Sequence, residues 1–126
     1  MDGNRFELAE RLIAAIVAGD VEAVRAIYSP DARIWHNFDN LEQTVDENLR
    51  VLRWLVRNVA NLRYEDIRRQ RTERGFMQQH VLRGTSRDGR PVELPAVLIC
   101  TVENDHITRL EEYFDSAHLA VLSPQS

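Results

Sequence analysis

Glu112 is the residue of this chain best suited to moving a proton. In Leu110-Glu111-Glu112-Tyr113-Phe114-Asp115, the two-residue period of a strand puts Leu110, Glu112 and Phe114 on one face and Glu111, Tyr113 and Asp115 on the other. A carboxylate between two apolar side chains is expensive unless paired. Its pKa is therefore expected to rise toward the range in which a general base or acid works near neutral pH. At a sheet edge the same carboxylate would instead sit in water. The second candidate is His80, which shares a strand face with Gln78, Leu82 and Gly84. An imidazole titrates near neutrality, which suits a proton partner for Glu112; it equally suits a structural or surface histidine. Gln78 can orient either group by hydrogen bonding. Around the first strand signal, Trp35 and Asn37 share one face and His36 takes the other. Trp35 reads as core or pocket wall. Asn37 reads as the holder of a water or a substrate oxygen, or as a turn residue leading into Asp39-Asn40.

Other chemistries find little support. The chain has no GxGxxG, no P-loop and no HExxH, and none of His36, His80, His106 and His118 stands four residues from another. No serine sits on a nucleophile elbow. Cys100 is the single cysteine, so neither an internal disulfide nor a multi-thiolate zinc site is available, and it reads as a small buried hydrophobe. The expectation is a protein without metal or cofactor.

The elements that must position these groups follow from periodicity. Asn4 and Glu7 have the spacing of a capping box, and Phe6, Ala9, Ile13, Ile16 and Val17 recur at helical intervals up to Gly19. Asp20 can cap a short second helix with Val24, Ile27 and Tyr28 on its apolar side, ended by Ser29-Pro30. A strand is expected over Ala32–Asn37. Thr44 and Glu47 form a second capping box ahead of an apolar stripe of Val45, Leu49, Leu52, Val56 and Val59. Arg50, Arg53 and Arg57 fall off that stripe as a solvated face, while Trp54 is expected to pack against the sheet. Four strands follow, Leu62–Arg69, Phe76–Gly84, Val92–Val102 and Ile107–Asp115, separated by turn chemistry at Ser86-Arg87-Asp88-Gly89 and Asn104-Asp105. The run from Ala96 to Val102 is apolar on both faces, which predicts a central strand covered on both sides. Helices followed by an antiparallel meander make an α+β domain, with helices on one face of a curved sheet and a pocket between them. The segment Ser116 to Ser126 reads either as a short helix over the pocket mouth, through Ala117, Leu119, Ala120 and Leu122, or as a tail.

Composition bounds the rest. The 126 residues, 44% hydrophobic and 29% charged, suffice for one domain with one core. With 20 acidic against 16 basic residues the net charge is −4, which supplies no electrostatic reason to bind nucleic acid. No apolar run approaches the roughly 18 residues of a membrane span. Met1 to Arg5 is polar, unlike a signal peptide, so a cytoplasmic protein is expected.

Two stretches carry a family resemblance: Ala14-Ala15 through Tyr28-Ser29-Pro30-Asp31-Ala32 into Trp35-His36-Asn37, and Ile107-Thr108-Arg109-Leu110-Glu111-Glu112-Tyr113-Phe114-Asp115. In this order they resemble the SnoaL-like branch of the nuclear transport factor 2-like superfamily, together with ketosteroid isomerases, polyketide cyclases and limonene-1,2-epoxide hydrolases. The resemblance implies a cone-shaped, cystatin-like α+β barrel around a deep apolar pocket, and a homodimer formed through the outer face of the sheet. In the limonene epoxide hydrolases the final strand carries Asp-Tyr-Phe-Asp, whose first Asp activates water. Glu112-Tyr113-Phe114-Asp115 is similar, which implies that role for Glu112. Their Tyr-x-Asn corresponds to Trp35-His36-Asn37, so Asn37 matches and Trp35 lacks the hydroxyl. Their Arg-x-Asp ahead of Val-Leu-Arg corresponds to Gln78-Gln79-His80 ahead of Val81-Leu82-Arg83, which puts His80 at the acid position and Gln78 at the bridging one.

The expectation is a small cofactor-free enzyme for hydrolysis, isomerisation or cyclisation of an apolar, oxygen-bearing molecule. Glu112 and His80 are its catalytic residues, and Asn37, Gln78, Trp35, Trp54, Leu110 and Phe114 its substrate-binding ones. The alternative is a non-catalytic binding or accessory domain on the same fold.

Overall fold

The computed structural model describes residues 2–122, with side chains from Phe6 onward. Helix α1 spans Asp2–Ala18. It starts ahead of Asn4, whose proposed cap lies outside the described side chains. Its buried stripe is Leu8, Ala9, Leu12, Ala15 and Ile16, rotated from the expected one, so that Val17 is left exposed. Gly19 ends it at φ 71°, with Gly19 N–H donating to Ile16 O at 3.0 Å and Asp20 N–H to Ala15 O at 3.0 Å, the paired bonds of a Schellman stop. Asp20 then caps α2, Val21–Ile27, by accepting from Ala23 N at 3.1 Å.

Strand β1 runs from Tyr28 to His36, longer at its start than expected, and Pro30 lies inside it. Its register on the neighbouring strand shifts between Tyr28 and Arg33, so the proline, which has no N–H to give, sits in the irregular stretch. A three-residue β2, Leu41–Gln43, follows, too short to show a period in the sequence. Helix α3, Val45–Asn58, carries the expected capping box, with Glu47 N–H to Thr44 Oγ1 at 3.2 Å and Thr44 N–H to Glu47 Oε1 at 2.9 Å. The long strands are β3 (Val59–Arg71), β4 (Gly75–Ser86), β5 (Pro91–Glu103) and β6 (His106–Phe114). A 3-10 helix, Ser116–Leu122, closes the described chain.

The six strands form one curved, unclosed α+β sheet in the order β2-β1-β6-β5-β4-β3. The pairings are antiparallel except β1 with β6, which is parallel. β5 is central as expected. Its inner residues Ala96, Leu98 and Cys100 are buried, whereas Val97, Ile99 and Thr101 on the outer side stay half-exposed. The core fills the concave side, where Leu12, Ile27, Ile34, Leu49, Phe76 and Ile107 are almost fully enclosed. No helix among the described residues is long and apolar enough to cross a membrane.

Candidate active site

A cavity of about 230 Å³ lies between the helices and the inner face of the sheet. Its walls are mostly aliphatic, from α1, α3 and the inner positions of β4, β5 and β6. Glu112 lies on this wall between Leu110 and Phe114, the face that the period of β6 dictates.

The partner of Glu112 is His36. The parallel register sets His36 beside Glu112, and His36 Nε2 lies 3.1 Å from Glu112 Oε1. Both side chains are largely withdrawn from solvent. His36 Nδ1 is buried and has no hydrogen-bond partner among the described residues. The rings of Phe38 and Phe114 flank the imidazole at centroid distances of 6.0 and 6.3 Å.

This reverses the expected faces of β1. Ala32, Ile34 and His36 point into the core, and Trp35 points out, with its ring 5.2 Å from Tyr113 and its Nε1–H donating to Asn40 Oδ1 at 2.8 Å. The signal was present in the sequence: Ala32 and Ile34 share the parity of His36, while Asp31 and Arg33 share that of Trp35. Two charged residues outweigh one indole in deciding which face meets water.

His80 does not pair with Glu112. It sits on β4, two strand spacings or about 10 Å from β6, with Ala96 and Phe114 as its register partners across the sheet. It is buried among other partners. Arg69 Nε–H donates to Gln78 Oε1 at 2.8 Å, which turns the Gln78 amide nitrogen toward His80 Nδ1 at 2.9 Å. An amide NH₂ only donates, so Nδ1 must accept and the ring is neutral, with its proton on Nε2. Burial holds the His80 pKa below its ordinary value, and Arg69 adds to this against an opposing pull from Glu112. The imidazole packs against the Tyr64 ring with centroids 4.7 Å apart and planes inclined by 61°. Gln78, 1% exposed, serves this buried chain and does not line the cavity.

Asn37 ties the end of β1 to β6. Its N–H donates to Glu112 O, and its Oδ1 accepts from Phe114 N–H, each at 3.0 Å. It therefore secures the backbone that carries Glu112. Trp54 does not pack against the sheet; it is 47% exposed and, with Phe38, lines the cavity from α3 and the turn after β1. Leu110 and Phe114 line the cavity as expected.

Sequence reasoning missed a second polar group of wall residues. Tyr28 O–H donates to Asn48 Oδ1, and Asn48 Nδ2–H to Gln43 Oε1, both at 3.2 Å. Asn48 was legible as a polar residue on the apolar side of α3, one residue before Leu49 and four before Leu52. Burial raises the pKa of the Tyr28 phenol well above its usual value, with Cys100 and Glu112 adding, and raises that of Tyr64 with Glu112 adding. Both are thus protonated donors. The 3-10 helix covers one side of the cavity with Leu119 and Leu122, taking the helical alternative for this segment, and adds His118, whose Nδ1 lies 2.9 Å from Glu93 O. A backbone carbonyl only accepts, so His118 Nδ1 carries a proton. Cys100 is buried in apolar surroundings that push its thiol pKa up. Among the described residues no three His, Cys, Asp or Glu side chains converge as a metal ligand set.

Residues 9–110 match the family model of the SnoaL-like domain. The chain belongs to the SnoaL-like family. The match contains His36 and stops just short of Glu112. Solved structures similar to this SnoaL-like domain share its fold. PrhC from Penicillium brasilianum NBRC 6234 superposes with a TM-score of 0.84 at 17% identity, covering 96% of this chain and 86% of that one. A Xanthomonas campestris protein provisionally designated a polyketide cyclase gives 0.83 at 17% identity over 97% and 98%. A protein of ketosteroid isomerase-like fold from Catenulispora acidiphila, solved with trimethylamine, gives 0.79 at 15% identity over 91% of each chain. No curated protein matches the chain.

Proposed function

We propose that this SnoaL-like domain is a small acid–base enzyme acting on an apolar, oxygen-bearing molecule. Glu112 is the base and His36 its proton partner. The observation that carries the reading is the Glu112–His36 contact of 3.1 Å on the wall of a mostly apolar cavity. A volume of about 230 Å³ falls below the roughly 300 Å³ at which drug-sized pockets begin, so the substrate is small. In such a site Glu112 takes a proton either from a carbon next to a carbonyl or from a water that attacks an epoxide carbon. The substrate oxygen that gains negative charge needs a donor. The resemblance assigns that donor to His80. The cavity wall offers the protonated phenol of Tyr64 instead.

The test is turnover of a panel of small enolisable ketones and epoxides. Glu112→Gln is expected to abolish it, with the circular dichroism spectrum unchanged. Activity retained in that folded variant would overturn the assignment. A second reading, a non-catalytic binding domain, is favoured by one observation: of the residues aligned with the epoxide hydrolase site, only Glu112 lines the cavity. Saturable binding of a ligand that the wild type never converts would support it.

A further inference from the structure

Apart from the imidazoles of His36 and His118, the charge in the cavity is of one sign. Among the residues that line it Glu112 is the single carboxylate, and no lysine or arginine is present. Glu112 Oε1 meets His36, while Oε2 makes no hydrogen bond among the described residues. The negative potential reaches the surrounding groups: Glu112 contributes to raising the pKa values of Tyr28, Tyr64 and Cys100. The imidazole that meets the carboxylate is flanked by aromatic rings. Phe38 and Phe114 lie 5.3 Å apart at 45°, and Trp54 and Phe38, 47% and 48% exposed, stand on the accessible side of the cavity.

Aromatic faces carry negative quadrupole density, and a carboxylate sheltered from water attracts a counter-charge more strongly than one in bulk solvent. A neutral ligand leaves the Glu112 charge uncompensated, and an anion is repelled. A cation wrapped in alkyl groups satisfies both features at once, because it fills apolar space and neutralises Glu112 while losing little hydration.

We propose that the cavity is a binding site for small alkylammonium cations, with the nitrogen seated against Glu112 and its alkyl groups against Phe38, Phe114 and Trp54. The assignment is independent of proton transfer by Glu112. A quaternary ammonium group has no N–H proton to give, and its binding is read without turnover.

The experiment compares choline with 3,3-dimethylbutan-1-ol, which has the same shape and no charge, by NMR titration of the full chain. It is run at about pH 8. Choline is expected to bind at least about tenfold more tightly than the alcohol, and Glu112→Gln to erase that difference. Phe38→Ala and Trp54→Ala alter exposed side chains outside the buried core. Each is expected to weaken choline several-fold while moving the alcohol less, which keeps the test open should E112Q not fold. Equal affinities for the two probes, no choline binding to the folded wild type, or a preference for choline that survives in E112Q would each overturn the proposal. Choline binding by a wild type that turns over none of the ketones or epoxides would instead count against the catalytic reading alone.

Discussion

The two histidines nearest in role differ in what their neighbours let them do. His36 meets a carboxylate and keeps one nitrogen uncommitted, whereas His80 has its Nδ1 occupied by a glutamine amide that can only donate. If the proposed chemistry holds, His36→Gln lowers kcat by about 10² or more, the usual contribution of a positioned acid–base group, and His80→Leu leaves a folded enzyme with a smaller loss. Steady-state kinetics of the two variants on a turned-over substrate separates them; a larger kcat loss in His80→Leu would reverse the roles. His80 predicts a stability effect instead. Its folded-state pKa lies below its unfolded value, so the unfolded chain binds more protons as the pH falls below about 6.5. The stability it contributes is present above that pH and is lost as the pH falls toward the folded pKa, with a slope of up to about 1.4 kcal/mol per pH unit. Urea midpoints between about pH 7 and pH 5 read this directly. In His80→Leu the acid-side slope flattens, while the unpaired Gln78 amide costs about 1 kcal/mol or more throughout.

At the scale of elements, most stops and caps were legible because their chemistry is local, whereas Ser29-Pro30, read as the end of the second helix, lies inside β1. Gly19 and Asp20 end one helix and start the next, and the box at Thr44 and Glu47 starts α3. Gly19→Ala places a Cβ at φ 71° and 3.3 Å from Val56 Cγ1, and is expected to cost about 1 kcal/mol in a denaturant titration. Thr44→Ala removes the acceptor for Glu47 N–H and is also expected to cost about 1 kcal/mol. Backbone amides of 45–48 should then exchange faster, loosening the turn that holds Asn48 at the cavity wall. The faces of β1 were less legible, because alternation sorts residues into two sets without naming the buried one. Trp35 suggested one answer, and the Ala32, Ile34 and His36 set was the correct one.

At the scale of the whole molecule, the sheet also presents an outer face on β4, β5 and β6. Met77, Val81, Val97, Ile99 and Tyr113 are half-exposed or exposed there, beside an open depression of about 670 Å³. A homodimer through this face is expected, in line with the family resemblance. Val97→Glu should shift the sedimentation coefficient to that of the monomer, since it buries a charge in the contact; a monomeric wild type would remove the expectation. The sequence by itself determined the fold class, the caps at Asp20 and Thr44, the succession of the long strands along the chain, and the face of β6 on which Glu112 stands. All of these follow from short-range periodicity and capping chemistry within a few residues. Only the tertiary structure decided that His36, not His80, meets Glu112. That contact depends on β1 lying parallel to β6 while β5 separates β4 from β6. Strand adjacency is a property of how the whole sheet closes over its core, and no local pattern encodes which distant strand becomes a neighbour.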